Sequence, residues 1–437
     1  MRRAVLGLTA LLLSCASSLV RKEAPGLPPP PPPRTTTFGS PEQAIAGWLD
    51  DKREAMVDMV ERVVNQNSGS QNLDGLAKVR ELFAKELAAL GFECEVEAGG
   101  SLEIPRRPGR GEKLRFGDHL VARRKGERGQ RVLLMGHMDT VFGPGHPFQR
   151  FDRATGAGPG ALDMKGGIVI LVWALRALAA RGHLDGARLT VILNADEELG
   201  SLDSRRIIEA EARRHDVGLV FEGSADNAMV RVRKGLGQVQ LVVHGRGAHA
   251  GSAHADGLSA VRELAIKVIE IEKLTDAAAG LTVNVGVFEG GDTRNTVPPS
   301  AEALIDIRYT TPEQGEEAVR RIRAIADRSF TRNARHGVET RTEMWHSLHR
   351  PPKLVTPEFD DLLARVRGIG AALNRDMGVV DSGGGTDGSL SQAVGLPTLD
   401  SMGMVGEGAH SDRERADLSF LVWRAQLAAV TLYRLTR

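Results

Sequence analysis

Apolar positions recur at two different periods along this chain, and the alternation between them sets out its architecture. Helical spacing runs through 41–66 and 76–90, where Val79, Leu82, Phe83, Leu87 and Leu90 share one face. Short apolar runs at 92–97, 114–122 and 132–136 read as strands. Residues 165–181 are apolar on most faces with Arg176 inside, which predicts a helix packed on a sheet rather than a membrane span. Strand 188–195, helix 202–214 and strand 217–222 continue the alternation, which implies a mostly parallel sheet covered on both faces. After Ser224 the pattern changes. Strand-like 238–245, helical 260–273, strands 281–288 and 301–309, helix 313–329 and strand 337–344 give the order βαββαβ, a ferredoxin-like arrangement. Helix 357–373, the Gly-rich 382–388, strand-like 397–401 and a helix from 416 then return to an α/β layer. The fold class is therefore an α/β domain, 41–228 and 347–437, interrupted by an inserted α+β unit at 229–346.

Composition adds constraints. A chain of 437 residues exceeds the size at which a single core stops growing, which agrees with two domains. With 57 basic against 56 acidic residues there is no global field to attract nucleic acid or an anionic membrane. Residues 1–23 hold two arginines, an apolar run and small residues, the pattern of a secretory leader, too short to span a bilayer. The L-L-S-C ending at Cys15 resembles the cleavage box of bacterial lipoproteins, with plain cleavage nearby as the alternative. The expectation is an exported bacterial protein, periplasmic or membrane-anchored through a lipid on Cys15. Residues 24–40 include the proline run Pro28 to Pro33 and read as a stiff, extended spacer. Once Cys15 is lipidated, Cys94 has no partner, and it reads as a small core residue.

Candidate chemistry gathers at strand ends. In V-I-L-N-A-D-E-E-L-G-S, Asp196, Glu197 and Glu198 follow a buried strand, where open α/β sheets bind ligands. Strand alternation gives Glu197 and Glu198 different parts. In G-H-M-D-T, His137 and Asp139 share a face, so the carboxylate can orient the imidazole from behind. Asp163 opens a helix in G-A-L-D-M-K-G-G, Glu222 ends a strand in L-V-F-E-G-S, and His410 lies in G-E-G-A-H-S-D. Nitrogen and oxygen donors without cysteine suit zinc, with cobalt or manganese as substitutes. A carboxylate can bridge two ions about 3.5 to 4 Å apart. The donors divide as His137 with Glu222 and Glu198 with His410, Asp163 lying between, and Glu197 is left to act as base. The segment S-G-G-G-T-D-G-S lacks the G-K-[S/T] ending and the strand-loop-helix spacing of a phosphate loop.

The motifs G-H-M-D-T, D-M-K-G-G, D-E-E-L-G-S, F-E-G-S, G-A-H-A-G, R-N-T-V-P, G-G-G-T-D and A-H-S-D together resemble the aminoacylase and glutamate carboxypeptidase family of co-catalytic zinc metallopeptidases. Within it the likeness is to bacterial glutamate carboxypeptidases of the carboxypeptidase G type, through D-E-E-L-G-S, G-G-G-T-D-G and H-S-D. The resemblance implies a zinc-exopeptidase-like catalytic domain split by a dimerisation domain. It implies two zinc ions per subunit bridged by Asp163, and Glu197 as general base. It also implies that His249 reaches across a homodimer to steady the tetrahedral oxygen. Asn295 and Arg308 match positions that bind the substrate's free carboxylate, a task suited to the guanidinium fork. Arg350, before Pro351, is a third candidate, with ordinary surface pairing as the alternative. Gly223 stands where relatives often carry proline, which leaves the loop after Glu222 less defined. The expected activity is release of a carboxyl-terminal amino acid, glutamate among the candidates, from a peptide or N-acyl substrate. The alternatives are an N-acyl-amino-acid or dipeptide hydrolase of the same family and, in another class, an inactive membrane-tethered peptide-binding protein. Intact donors at every ligand position and at Glu197 argue against the last.

Overall fold

Val132, Leu133, Leu134 and Met135 are all buried, as a strand covered on both faces requires, and they sort by alternation. Val132 and Leu134 join one core with the helices Lys165–Ala180 and Leu421–Thr436, while Leu133 and Met135 join another with Ile207, Ile208 and Leu390. These strands belong to a computed structural model that describes residues 28–108 and 113–437. The expected leader with Cys15 lies outside the described residues. Among the described residues no helix is long and apolar enough to cross a membrane.

The chain forms two compact units. Of the described residues, the first unit takes 28–100, 115–233 and 353–437. Its six-stranded sheet has the order Glu93–Glu97, His119–Arg124, Ala187–Asn194, Arg128–His137, Val217–Val220, Thr398–Leu399. The last four strands are parallel and the first two join antiparallel. The second unit holds a four-stranded antiparallel sheet, in the order Thr282–Gly290, Ser300–Tyr309, Gly235–His244, Arg341–Arg350. Helices Ala260–Glu272 and Pro312–Asp327 pack on it around Val239, Leu241, Leu264 and Ile322. This is the βαββαβ order with its second strand at one edge.

Several expectations need correction. The strand Ala228–Arg233 stays with the first unit, because it pairs in parallel with Gly378–Ser382. The second unit therefore begins at 234 rather than 229. It runs to 352 rather than 346, because the last strand keeps pairing until Arg350 meets Leu236. It also takes residues 101–108, where Arg106 grips the buried Glu302 through Nε at 3.1 Å and Nη2 at 3.0 Å. The helical stretch 41–66 is two helices, Ser40–Trp48 and Arg53–Val64, parted by the polar Asp50, Asp51 and Lys52. Cys94 is exposed, because its strand is the sheet's edge. The Gly-rich 383–386 does lie between a strand and a helix, Gly378–Ser382 and Asp387–Ala393, but it carries no lysine.

From Pro28 the proline segment is held against the first unit rather than projecting as a spacer. Arg231 Nη1 donates to the Pro28 carbonyl at 2.6 Å and Arg367 Nη1 donates to that of Pro31. Arg34 N donates to Ala364 O at 3.0 Å on the helix Pro357–Ala372. A proline-rich segment has few amide donors, so its carbonyls are free to accept from arginines.

Candidate metal centre

His137 ends its strand 1% exposed, and its ring is fixed from behind. Nδ1 lies 3.0 Å from the main-chain oxygen of Asp139 and 3.4 Å from Asp139 Oδ1, which turns Nε2 to the site. The Asp139 carboxylate has a second task. Oδ1 accepts from Glu197 N at 3.2 Å, while Oδ2 accepts from Glu198 N at 3.1 Å and from Ser70 Oγ at 2.8 Å. Asp139 thereby ties the His137 strand to the acidic turn. That turn is the 3-10 segment Glu197–Leu199 rather than strand, so Glu197 and Glu198 diverge by a third of a turn and not by strand alternation. Asp196 points back into the fold, where Oδ2 accepts from Asp203 N and Ser204 N at 2.8 and 3.2 Å.

Asp163 is reached by close backbone packing. A Cβ on Gly167 would lie 1.9 Å from the Phe221 carbonyl, so the helix that follows Asp163 can approach the Glu222 strand only with glycine there. At Gly223 the Cβ direction meets Leu162 Cδ1 at 2.8 Å, so a larger residue there would require the Leu162 side chain to shift. The result places Asp163 between two imidazoles. His137 Nε2 is 3.1 Å from Asp163 Oδ1 and 3.6 Å from Glu222 Oε1. His410, in the left-handed backbone region at φ 64°, has Nε2 3.0 Å from Asp163 Oδ2 and 3.1 Å from Glu198 Oε2.

The donors shift one another's protonation. Burial, and behind it the charge of Asp163, push Glu222 up to about 7 against the pull of His137. Burial likewise raises Glu198. Burial opposes charge on His137 and His410 too, but Glu222 and Glu198 outweigh it and hold both imidazoles well above their usual range. Burial would also lift Asp163, yet hydrogen bonds from the two imidazoles keep it far below the carboxylate range. Glu198 Oε2 is buried, with His410 Nε2 at 3.1 Å. His137, Glu197 and Glu222, and again His137, Asp163 and Glu198, bring ligand atoms within 4.8 Å of one another. A divalent cation would take the place of the shared protons, since imidazole and carboxylate bind metal only when deprotonated. The residues present fit such an ion.

Two residues escaped the sequence reading. Glu414 is 1% exposed, and its Oε1 accepts from Leu162 N at 3.0 Å and Asp163 N at 3.1 Å. Arg233 lines a cavity of about 300 Å³ together with Asp163, Glu197, Glu222 and His410. The remaining candidates lie in the second unit. His249 is exposed, with Nδ1 accepting from Gly251 N and Ser252 N at 3.1 and 3.0 Å. Asn295, also exposed, sits in the adjoining loop, its carbonyl accepting from Ala250 N at 2.9 Å. Arg308 Nε donates to Asp306 Oδ2 at 2.7 Å. Arg350 is not the surface residue offered as an alternative above: it is 2% exposed at the end of its strand, and its carbonyl accepts from Tyr309 Oη at 2.8 Å.

A mostly parallel sheet with imidazoles and carboxylates converging beyond its carboxyl ends is the architecture of a metal-dependent hydrolase. The sequence profile of peptidase family M20/M25/M40 matches residues 133–434, and the chain belongs to that family. It is 31% identical to carboxypeptidase G2 of Pseudomonas sp. (strain RS-16) over 389 residues, 87% of this chain and 89% of the relative. It is 28% identical to a succinyl-diaminopimelate desuccinylase of Alkalilimnicola ehrlichii over 374 residues, 79% of this chain and 91% of that one. Among solved structures, an M20 family metallo-carboxypeptidase from Sulfolobus solfataricus matches in fold with a TM-score of 0.67 at 16% identity, over 86% of this chain and 98% of that one. The protein is a zinc metallopeptidase of the carboxypeptidase type.

Proposed function

We propose that the protein hydrolyses an amide bond to release a carboxyl-terminal amino acid, glutamate among the candidates, from a peptide or N-acyl substrate. One observation carries the reading: each oxygen of Asp163 faces a different imidazole, Oδ1 toward His137 and Oδ2 toward His410. His137 and Glu222 would hold one zinc ion and Glu198 and His410 the other, with Asp163 between them. When bound, the pair supplies an activated water and polarises the scissile carbonyl. Glu197 takes a proton from the attacking water and returns it to the leaving nitrogen. Asp139 holds His137 and the amides of Glu197 and Glu198 in place during these transfers. His249, whose Nδ1 is occupied by two amides, carries its hydrogen on Nε2 in the neutral ring and is proposed to offer it to the tetrahedral oxygen from the partner subunit. Asn295, Arg308 and Arg350 are proposed to bind the free α-carboxylate. The unpaired edge strand Thr282–Gly290, with Phe288 exposed, and the neighbouring exposed Ile269 support a twofold dimer through the second unit. Export, with a lipid on Cys15, is part of the same proposal.

The desuccinylase match favours, as a second reading, an N-acyl-amino-acid hydrolase in which the acyl group is not a peptide. A hydrolysis screen across N-acyl amino acids and dipeptides with zinc present, comparing free carboxylates with their amides, tests the proposal. Cleavage that fails on the amides is the expected result. Bound zinc without hydrolysis of any member would instead support the peptide-binding protein.

A further inference from the structure

His119 is wholly buried, yet it belongs neither to the proposed ligands nor to the proposed base. It opens the strand His119–Arg124, which pairs antiparallel with Ala187–Asn194, and its ring lies where the chain leaves that second strand for the acidic turn. Both ring nitrogens are engaged. Nδ1 accepts from Ala195 N at 3.2 Å, and Nε2 lies 2.9 Å from Asp203 Oδ2. Because Nδ1 accepts, the hydrogen of the neutral ring is on Nε2 and is donated to Asp203. That bond holds the Asp203 carboxyl below its usual value. Asp196 Oδ1, at 4.0 Å from Nδ1, is too far away to compete.

These two partners stand at opposite ends of one loop. Ala195 immediately precedes Asp196, Glu197 and Glu198, and Asp203 follows the 3-10 segment that carries the two glutamates. The loop is also closed from within: Asp203 N donates to Asp196 Oδ2 at 2.8 Å, and Leu199 N and Ser201 N donate to Asp196 O at 3.1 and 2.8 Å. His119 thus joins the start of the loop to its end from outside, and strand pairing holds His119 itself. The two bonds differ in consequence. Ala195 is fully buried, so its N–H has no solvent to turn to once Nδ1 is removed. Asp203 is partly exposed and has Arg206 Nη2 at 3.8 Å, so it keeps other company.

We propose that His119 is a positioning residue for the hydrolytic reaction: by accepting from Ala195 N and donating to Asp203 it staples the two ends of the loop 195–203, and so fixes where Glu197 and Glu198 stand between them. This role rests on the reading of Glu197 as base and Glu198 as ligand, and adds what holds both in register with the other donors. His119 acts through the main chain and touches neither substrate nor metal.

Asparagine and glutamine divide the imidazole between them, since the Asn amide overlies the Nδ1 side of the ring and the Gln amide reaches the Nε2 position. His119→Asn therefore keeps an acceptor for Ala195 N, whereas His119→Gln keeps only the contact with Asp203. On a substrate from the screen above and at saturating zinc, His119→Gln should lower kcat by about 10- to 100-fold with KM within about threefold. Its zinc affinity should fall by a similar factor, the range for a group that orients a metal site's residues. His119→Asn should stay within about threefold of wild type in kcat and zinc affinity. Equal losses in the two variants mark a residue that only fills space and overturn the proposal, as does a glutamine variant indistinguishable from wild type. If His119→Gln does not fold, the asparagine variant decides: near-normal kcat and zinc affinity uphold the role, and their loss, or failure of this variant to fold as well, overturns it. Amide exchange over 195–203, read by mass spectrometry on the same preparations, needs no substrate. Faster exchange in His119→Gln than in His119→Asn upholds the staple even where wild type hydrolyses no member of the screen, a result that sinks the hydrolytic reading alone. Equal exchange in the two variants overturns the staple.

Discussion

In the second unit, Lys267 and Glu263 lie one helical turn apart on Ala260–Glu272, both fully buried and 3.0 Å from each other. Lys267 also donates to the carbonyls of Ile325, Ala326 and Arg328, and Glu263 accepts from Phe330 N and Thr331 Oγ1. Burial would raise Glu263, but these donors and Lys267 bring it below its usual value, so it is held ionised. In the first unit, the buried charges of the metal centre are arranged otherwise. Glu222 and Glu198 are raised, and two imidazoles divide their attraction among three carboxylates. Burial alone therefore does not identify function. A sealed pair that satisfies its own donors and acceptors is a structural pin, whereas a sealed cluster with repelling carboxylates requires a cation from outside.

The contrast can be broken at either end. The largest effect is expected from Glu197→Gln, which keeps shape and removes basicity. It should lower kcat by about 10² to 10⁴ with zinc content unchanged, as read by kinetics and elemental analysis on one preparation. Loss of zinc from that variant would make Glu197 a ligand rather than a proton carrier.

Next comes the structural pin. Lys267→Met leaves Glu263 buried and ionised without its cation, and should cost about 3 to 5 kcal/mol in denaturant unfolding of the second unit. Turnover per folded molecule should stay near that of wild type. A variant as stable as wild type would remove the distinction drawn between the two clusters.

A smaller effect sharpens the comparison from within the first unit. Lys353 is as buried as Lys267 but has one carbonyl and the Phe359 ring for company, and burial lowers it to about 7, Asp400 offsetting only part of this. Its folded-state pKa lies below the unfolded value of 10.5, so between those values the unfolded chain binds the extra proton and stability rises with pH. Lys353→Met should remove a slope of up to about 1.4 kcal/mol per pH unit across that window, measured by urea unfolding at pH 7 to 9. An identical pH dependence in the variant would show Lys353 to be ordinary in the folded state.

Much of the candidate metal centre's clustering was legible in the sequence because its residues close strands or open the turns after them, and strand ends announce themselves by where an apolar run stops. His137, Glu198 and Glu222 are of this kind. Asp163 was legible through the glycines beside it, whose reason is the approach to the Phe221 carbonyl. Glu414 was not, because its partners are main-chain amides remote in sequence, and its setting R-E-R reads as a solvated loop. Arg233 was missed for a related reason: its meaning depends on Asp400 and on a parallel partner strand at Gly378–Ser382, and such pairing leaves no local signal. The same strand explains the shifted domain boundary. The proline segment looked like a spacer because nothing in its own residues reveals Arg231 and Arg367 waiting for its carbonyls.

The central claim is that Asp163 stands between two ions. Elemental analysis of protein equilibrated with zinc and freed of excess, wild type beside Asp163→Asn, tests it most directly. The account predicts two zinc ions per chain in wild type and a marked loss from Asp163→Asn, whose amide can no longer serve both sides. One ion per chain in wild type, or two retained by Asp163→Asn, would contradict it.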